Sequence, residues 1–106
     1  MKDLDISGSR LEKMKVLFCL IESCIINESD LSESNFGLSR FRKASLNNAN
    51  LTLACFAGCV MEEVQITNSL LDRVDLTLVK AQTLNVTGSK QNGIILDRAK
   101  IQGLTR

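Results

Sequence analysis

The stretch Asp30 to Phe56, DLSESNFGLSRFRKASLNNANLTLACF, decides the fold, because a large apolar residue returns at every fifth position: Leu31, Phe36, Phe41, Leu46, Leu51 and Phe56. Two residues before each stands a small one, namely Ser29, Ser34, Ser39, Ala44, Ala49 and Ala54. Neither the 3.6-residue period of a helix nor the two-residue period of a strand fits this spacing. A five-residue unit is also too short to bury its own apolar side chain, so it must stack on copies of itself.

The frame extends in both directions without a gap. From Ile6 to Ile101 the large position is Ile, Leu, Val, Phe or Met throughout, except for Ala81 and Gln91. Random placement at 44% hydrophobic content would fill only about nine of these twenty positions with apolar residues. The small position, from Leu4 to Leu104, holds only Ala, Ser, Cys, Val, Leu, Ile or Met. Leu4, Met14, Val64, Val74, Leu84 and Ile94 are bulky there, so coils carrying them are expected to be swollen or irregular.

Units such as Ala49-Asn50-Leu51 and Ser29-Asp30-Leu31 resemble the A(D/N)LXX motif of the pentapeptide-repeat family, and the likeness runs along the whole chain. The resemblance implies an all-β fold, a right-handed quadrilateral β-helix of about five coils with four pentapeptides each, forming a single domain over residues 1–106. Ile26, Leu31, Phe36, Phe41, Leu46, Leu51 and Phe56 would then form the inner ladder, with Phe36 over Phe56.

Charge and glycine placement test the twenty-residue coil. Residues twenty apart would lie at the strand spacing of about 4.8 Å. Lys2 and Glu22, Arg10 and Asp30, Lys13 and Glu33, Glu22 and Arg42, Arg42 and Glu62, and Lys43 and Glu63 then stack with opposite signs, and only Lys80 over Lys100 is like-charged. Gly8, Gly58, Gly88, Gly93 and Gly103 share the last position of the unit, the third residue of a corner, where a type II turn requires positive φ.

Composition narrows the function. The chain has no His, Pro, Trp or Tyr, and thus lacks the commonest general base and metal ligand. It shows no nucleophile elbow, phosphate loop or paired-carboxylate motif, so no catalytic, cofactor or metal residues are assigned and no enzyme is expected. Cys19, Cys24 and Cys59 fall at small positions as reduced fillers, while Cys55 faces outward. A formal charge of +1 suits neither a strongly basic nucleic-acid binder nor an acidic imitation of duplex DNA. Arg40, Arg42 and Lys43 are the densest basic cluster, but no aromatics interleave with them. The chain contains no apolar run of membrane-spanning length and no secretory signal, so a cytoplasmic protein is expected.

The outward positions carry what remains. One face presents Ser7, Asn27, Asn47, Thr67 and Thr87 in a column suited to a hydrogen-bonded ladder. Another presents Leu17, Phe18, Leu38, Cys55, Leu78 and Ile95, a candidate partner or dimer surface. Gln91 is the inner misfit and is expected at a bulge or a wet end. With no cap read at either end of the repeat, a homodimer is expected, through an end or through the apolar face. The leading functional reading is a non-enzymatic protein-binding or scaffolding module of a bacterial cell. From the resemblance come two alternatives: a DNA mimic that binds a type II topoisomerase (gyrase) and protects it from quinolones, and the β-helical region of a larger bacterial effector or enzyme.

Overall fold

A computed structural model describes residues 1–106. Its one sheet is parallel, with five strands stacked in sequence order: β1 (Leu20–Glu22), β2 (Arg40–Arg42), β3 (Val60–Gln65), β4 (Lys80–Asn85) and β5 (Lys100–Thr105). Partners are twenty residues apart, as in Ile21 with Phe41 and Phe41 with Met61. Single bridges elsewhere keep the same offset, among them Asp30 with Asn50 and Asn50 with Leu70. Four full turns therefore carry the chain from β1 to β5, and residues 1–19 add most of a fifth.

Each coil has four corners, because φ turns positive at every fifth residue from Asp3 to Gly103. The five glycines singled out by their spacing all sit there, with φ between +65° and +74°. All the other corners force a side-chain-bearing residue into the left-handed region, including the β-branched Thr83 at +59°. Where Asp or Asn precedes the large residue, its side chain eases the turn. Asp30, Asn35, Asn50 and Asp75 each accept, through a side-chain oxygen, the backbone N–H two residues on, at 2.9–3.1 Å. The (D/N) of the repeat thus serves as a corner clamp.

Successive coils are joined by backbone hydrogen bonds. Leu31 N–H donates to Asn50 O at 2.7 Å, Leu51 N–H to Leu70 O at 2.9 Å, and Leu70 N–H back to Ala49 O at 3.0 Å. Buried serines add an inner tie: the hydroxyls of Ser34, Ser39 and Ser69 donate to the carbonyls of Leu11, Val16 and Leu46 in the preceding coil. A serine at the small position is therefore satisfied where a larger polar group would not fit.

The inward ladder forms one apolar core from Ile21 to Val86 that includes Ile26, Leu31, Phe36, Phe41, Leu46, Leu51 and Phe56, all buried. Phe36 and Phe56 stack at 5.3 Å with planes 9° apart, and Phe41 meets both edge-on at 5.6 Å. At the ends Ile6, Leu11, Val16, Leu96, Ile101 and Leu104 are only partly covered. Gln91 also lies at a half-covered end, where its Oε1 accepts Arg106 Nε–H at 3.1 Å.

Irregularity appears at one corner column. Where Cys24 and Ala44 occupy the small position, the strands stop after three residues; where Val64, Leu84 and Leu104 occupy it, they run on through the corner for six. At the latter corners two further pairs, Val64 with Leu84 and Gln65 with Asn85, join the ladder.

Candidate functional site

Most of the rod's surface is accounted for by its own ties. The ladder on the first face is built: Asn27 N–H donates to Ser7 Oγ at 3.1 Å, Asn47 N–H to Asn27 Oδ1 at 2.9 Å, and Thr67 N–H to Asn47 Oδ1 at 3.1 Å. It stops at Thr87, whose N–H turns to Asn85 Oδ1 instead. On the fourth face Glu22 pairs with Lys2 at 3.6 Å and Arg42 at 3.4 Å, and Glu62 with Arg40 at 3.0 Å and Arg42 at 3.7 Å. Lys13 reaches Glu33 at 4.0 Å. The expected pairs Arg10 with Asp30 and Lys43 with Glu63 do not form, and the Asp30 carboxylate is held by its own corner instead. Lys80 and Lys100 stack in register beside a shallow hollow of about 390 Å³ and have no acidic partner within ion-pair distance.

The face that carries Leu17, Phe18, Leu38, Cys55, Leu78 and Ile95, the third in chain order counting that of Ser7 and Asn27 as the first, differs in kind. Its left-hand column, Lys15, Asn35, Cys55, Asp75 and Ile95, is bridged row by row. Its corner column, Phe18, Leu38, Gly58 and Leu78, is tied by backbone bonds from each N–H to the next coil, such as Leu38 N–H to Ala57 O at 2.9 Å. Phe18 is 75% exposed, Leu38 56% and Leu78 52%, which is costly display for apolar side chains. Leu17, Phe18, Leu38, Cys55 and Leu78 line one shallow groove of about 350 Å³, while Ile95 is exposed on the same face outside that lining.

Gly37, Ala57 and Gly58, which the apolar pattern alone does not reveal, also line the groove. Gly58 is specific in this role, since a Cβ there would come within 2.7 Å of Leu38 Cδ2 and its φ is +70°. Leu38 thus leans over a notch that only glycine leaves. Exposed Leu20, Ile25, Leu53 and Leu70 are further outward apolar residues beyond the six of the sequence-based surface.

The thiols are all free, with Cys24 and Cys59 buried and Cys19 and Cys55 half-buried. Burial pushes the Cys59 thiol up to about 11, and its Sγ–H donates to Phe36 O at 2.9 Å. The folded state therefore keeps a proton that the unfolded chain, with an ordinary thiol near 9, gives up sooner. Stability from this group is complete below pH 9 and is lost as pH rises toward 11. Denaturant titrations between pH 8 and 11 are expected to show that fall in wild type and a smaller one in Cys59→Ala; equal slopes would contradict it.

No three Cys, Asp or Glu side chains converge to hold a metal ion, and no helix is long and apolar enough to cross a membrane.

Comparison with known proteins gives the same architecture. A family model for pentapeptide repeats matches residues 24–62 in eight copies. No curated protein matches the sequence. Among solved structures, the chain superimposes on the pentapeptide repeat protein Rfr23 of the cyanobacterium Cyanothece 51142 with a TM-score of 0.73 at 14% identity, covering 95% of this chain and 86% of that one. HetL of the cyanobacterium Nostoc, a pentapeptide repeat protein involved in heterocyst differentiation regulation, follows at 0.64 and 18%, covering 94% of this chain and 50% of HetL. A pentapeptide repeat protein of the Arabidopsis thaliana thylakoid lumen gives 0.54 and 17%, covering 95% of this chain and 60% of that one. At these identities the likeness is one of fold.

Proposed function

We propose, from the premise that this chain is a pentapeptide-repeat protein, that it is a non-enzymatic protein-binding module that uses its third face as the contact surface. One observation carries the reading: a continuous apolar groove, with Phe18, Leu38 and Leu78 displayed to solvent, on a rod whose first and fourth faces are occupied by their own hydrogen bonds and ion pairs. Exposed aromatic and aliphatic side chains around a glycine- and alanine-lined floor suit burial against another protein. A reducing, cytoplasmic setting fits the four free thiols.

Imitation of duplex DNA for a type II topoisomerase has less support, because it calls for unpaired acids along a face. Here Glu22 and Glu62 are each engaged by two basic side chains. The test of the binding reading is affinity capture from the source cell with wild type, Phe18→Asp and Leu38→Asp. A partner retained by wild type and lost from both variants is expected; identical capture by all three would discard the third face as the contact surface.

A further inference from the structure

We propose that the partner of the third face is a second copy of this chain, docked antiparallel about a two-fold axis that runs along the Cys55 row. This rests on the reading of that face as a protein-contact surface. The column Lys15, Asn35, Cys55, Asp75, Ile95 has five rows, and Cys55 is the middle one. A two-fold axis lying in the interface along that row, perpendicular to the rod, sets the Lys15 row of one copy against the Ile95 row of the other. It sets the Asn35 row against the Asp75 row, and the Cys55 row against itself.

Several of the opposed positions are complementary, while Leu17 lies opposite Asp97 and Ile95 opposite Lys15. Leu38 meets Leu78 of the second copy. Phe18, the most exposed of the large apolar residues, meets Arg98, a pairing of ring face and guanidinium. Cys55, Ala57 and Gly58 meet themselves, so the centre of the face, where backbones must come closest, carries small side chains. Lys15 and Asp97 are both exposed, neither has an ion-pair partner within its own chain, and they lie at opposite ends of the face. In the docked pair Asp97 of the second copy sits two residues along the row from the point opposite Lys15, roughly 7 Å away and within a lysine's reach. The axis parallel to the rod does less: it keeps one cation–ring pairing, Lys15 with Phe18, but sets Leu38 against Asn35, Leu78 against Asp75 and Cys55 against Gly58.

The face also sets the strength. One side of a body 30 × 24 × 23 Å can cover at most roughly 700 Å² per copy, slightly below the ~800 Å² of a standard interface. The dimer is therefore concentration-dependent and its charges matter.

Sedimentation velocity on the full chain, from dilute to near-millimolar concentration, tests the pairing. Wild type should pass from monomer to dimer, and Lys15→Asp or Asp97→Lys should each weaken the dimer roughly tenfold, since each reversal acts at two symmetry-related pairs. The double variant should return toward wild type. Mild oxidation with copper phenanthroline should cross-link the dimer through Cys55 of both copies. A monomer at every concentration, a dimer indifferent to both reversals, or a dimer that resists Cys55 cross-linking would overturn the antiparallel pairing. A monomer that still loses a captured partner on Phe18→Asp would overturn the self-pairing alone and leave the binding reading standing.

Discussion

Phe56→Ala is expected to destabilise the protein by about 3–5 kcal/mol, the cost of removing a fully buried aromatic side chain from a core that cannot collapse around the gap. The reason lies in the geometry of the solenoid. Phe56 stacks on Phe36 and meets Phe41 edge-on, so one truncation removes two aromatic contacts as well as buried area. Backbone hydrogen bonds to the coil below, such as Phe56 N–H to Asp75 O at 2.8 Å, hold the coil spacing fixed and prevent relaxation into the cavity. For a domain of this size the loss corresponds to a fall in Tm of about 15–30 °C. Phe18→Ala, on the outside, is the control and should stay within about 0.5 kcal/mol. A Phe56→Ala variant that melts within a few degrees of wild type would mean that the stack is not the centre of the core.

Deleting Asn48 should abolish folding of the wild-type register. Asn48 is a corner residue with φ of +55°, and its removal shifts every later residue by one position. Leu51, Phe56, Met61 and Ile66 would leave the inner column, the residues after them, Thr52, Ala57, Glu62 and Thr67, would enter it, and polar groups would be buried without partners. The summed cost exceeds the roughly 5–15 kcal/mol that stabilises a domain. Inserting one Gly at the same corner is milder, because an extra residue can bulge outward while the frame is kept. Removal of residues 45–64, one whole coil, should leave a cooperatively folded protein with one row fewer. Circular dichroism and thermal melts of the three variants separate these outcomes, and a folded Asn48 deletion would refute the strict five-residue frame.

The inner half of the molecule was legible because burial leaves little choice. Once Leu31, Phe36, Phe41, Leu46 and Leu51 share a period of five, the alternation of inside and corner follows, and the glycines mark the corner position independently. The outer half was less so, because exposed side chains select among several neighbours. Arg40 reaches Glu62 diagonally instead of being idle, and Asp30 clamps its own turn in preference to pairing with Arg10. The longer strands past Val64, Leu84 and Leu104 depend on how a corner accommodates bulk, which a pattern of large and small positions flags without resolving. The groove was half visible. Phe18, Leu38 and Leu78 stood out as outward apolar residues, whereas its lining by Gly37 and Ala57 becomes apparent only when coils are stacked.

Everything proposed for the third face depends on the twenty-residue stacking that brings Leu17, Phe18, Leu38, Cys55 and Leu78 into one groove. Scalar couplings across backbone hydrogen bonds, measured by NMR on the native chain, read that stacking directly. The amides of Leu31, Leu51 and Leu71 should couple to the carbonyls of Asn50, Leu70 and Lys90, nineteen residues ahead in each case. Couplings of these three amides to carbonyls at any other separation, or an offset that drifts from one to the next, would contradict the four-sided coil and the surface built on it.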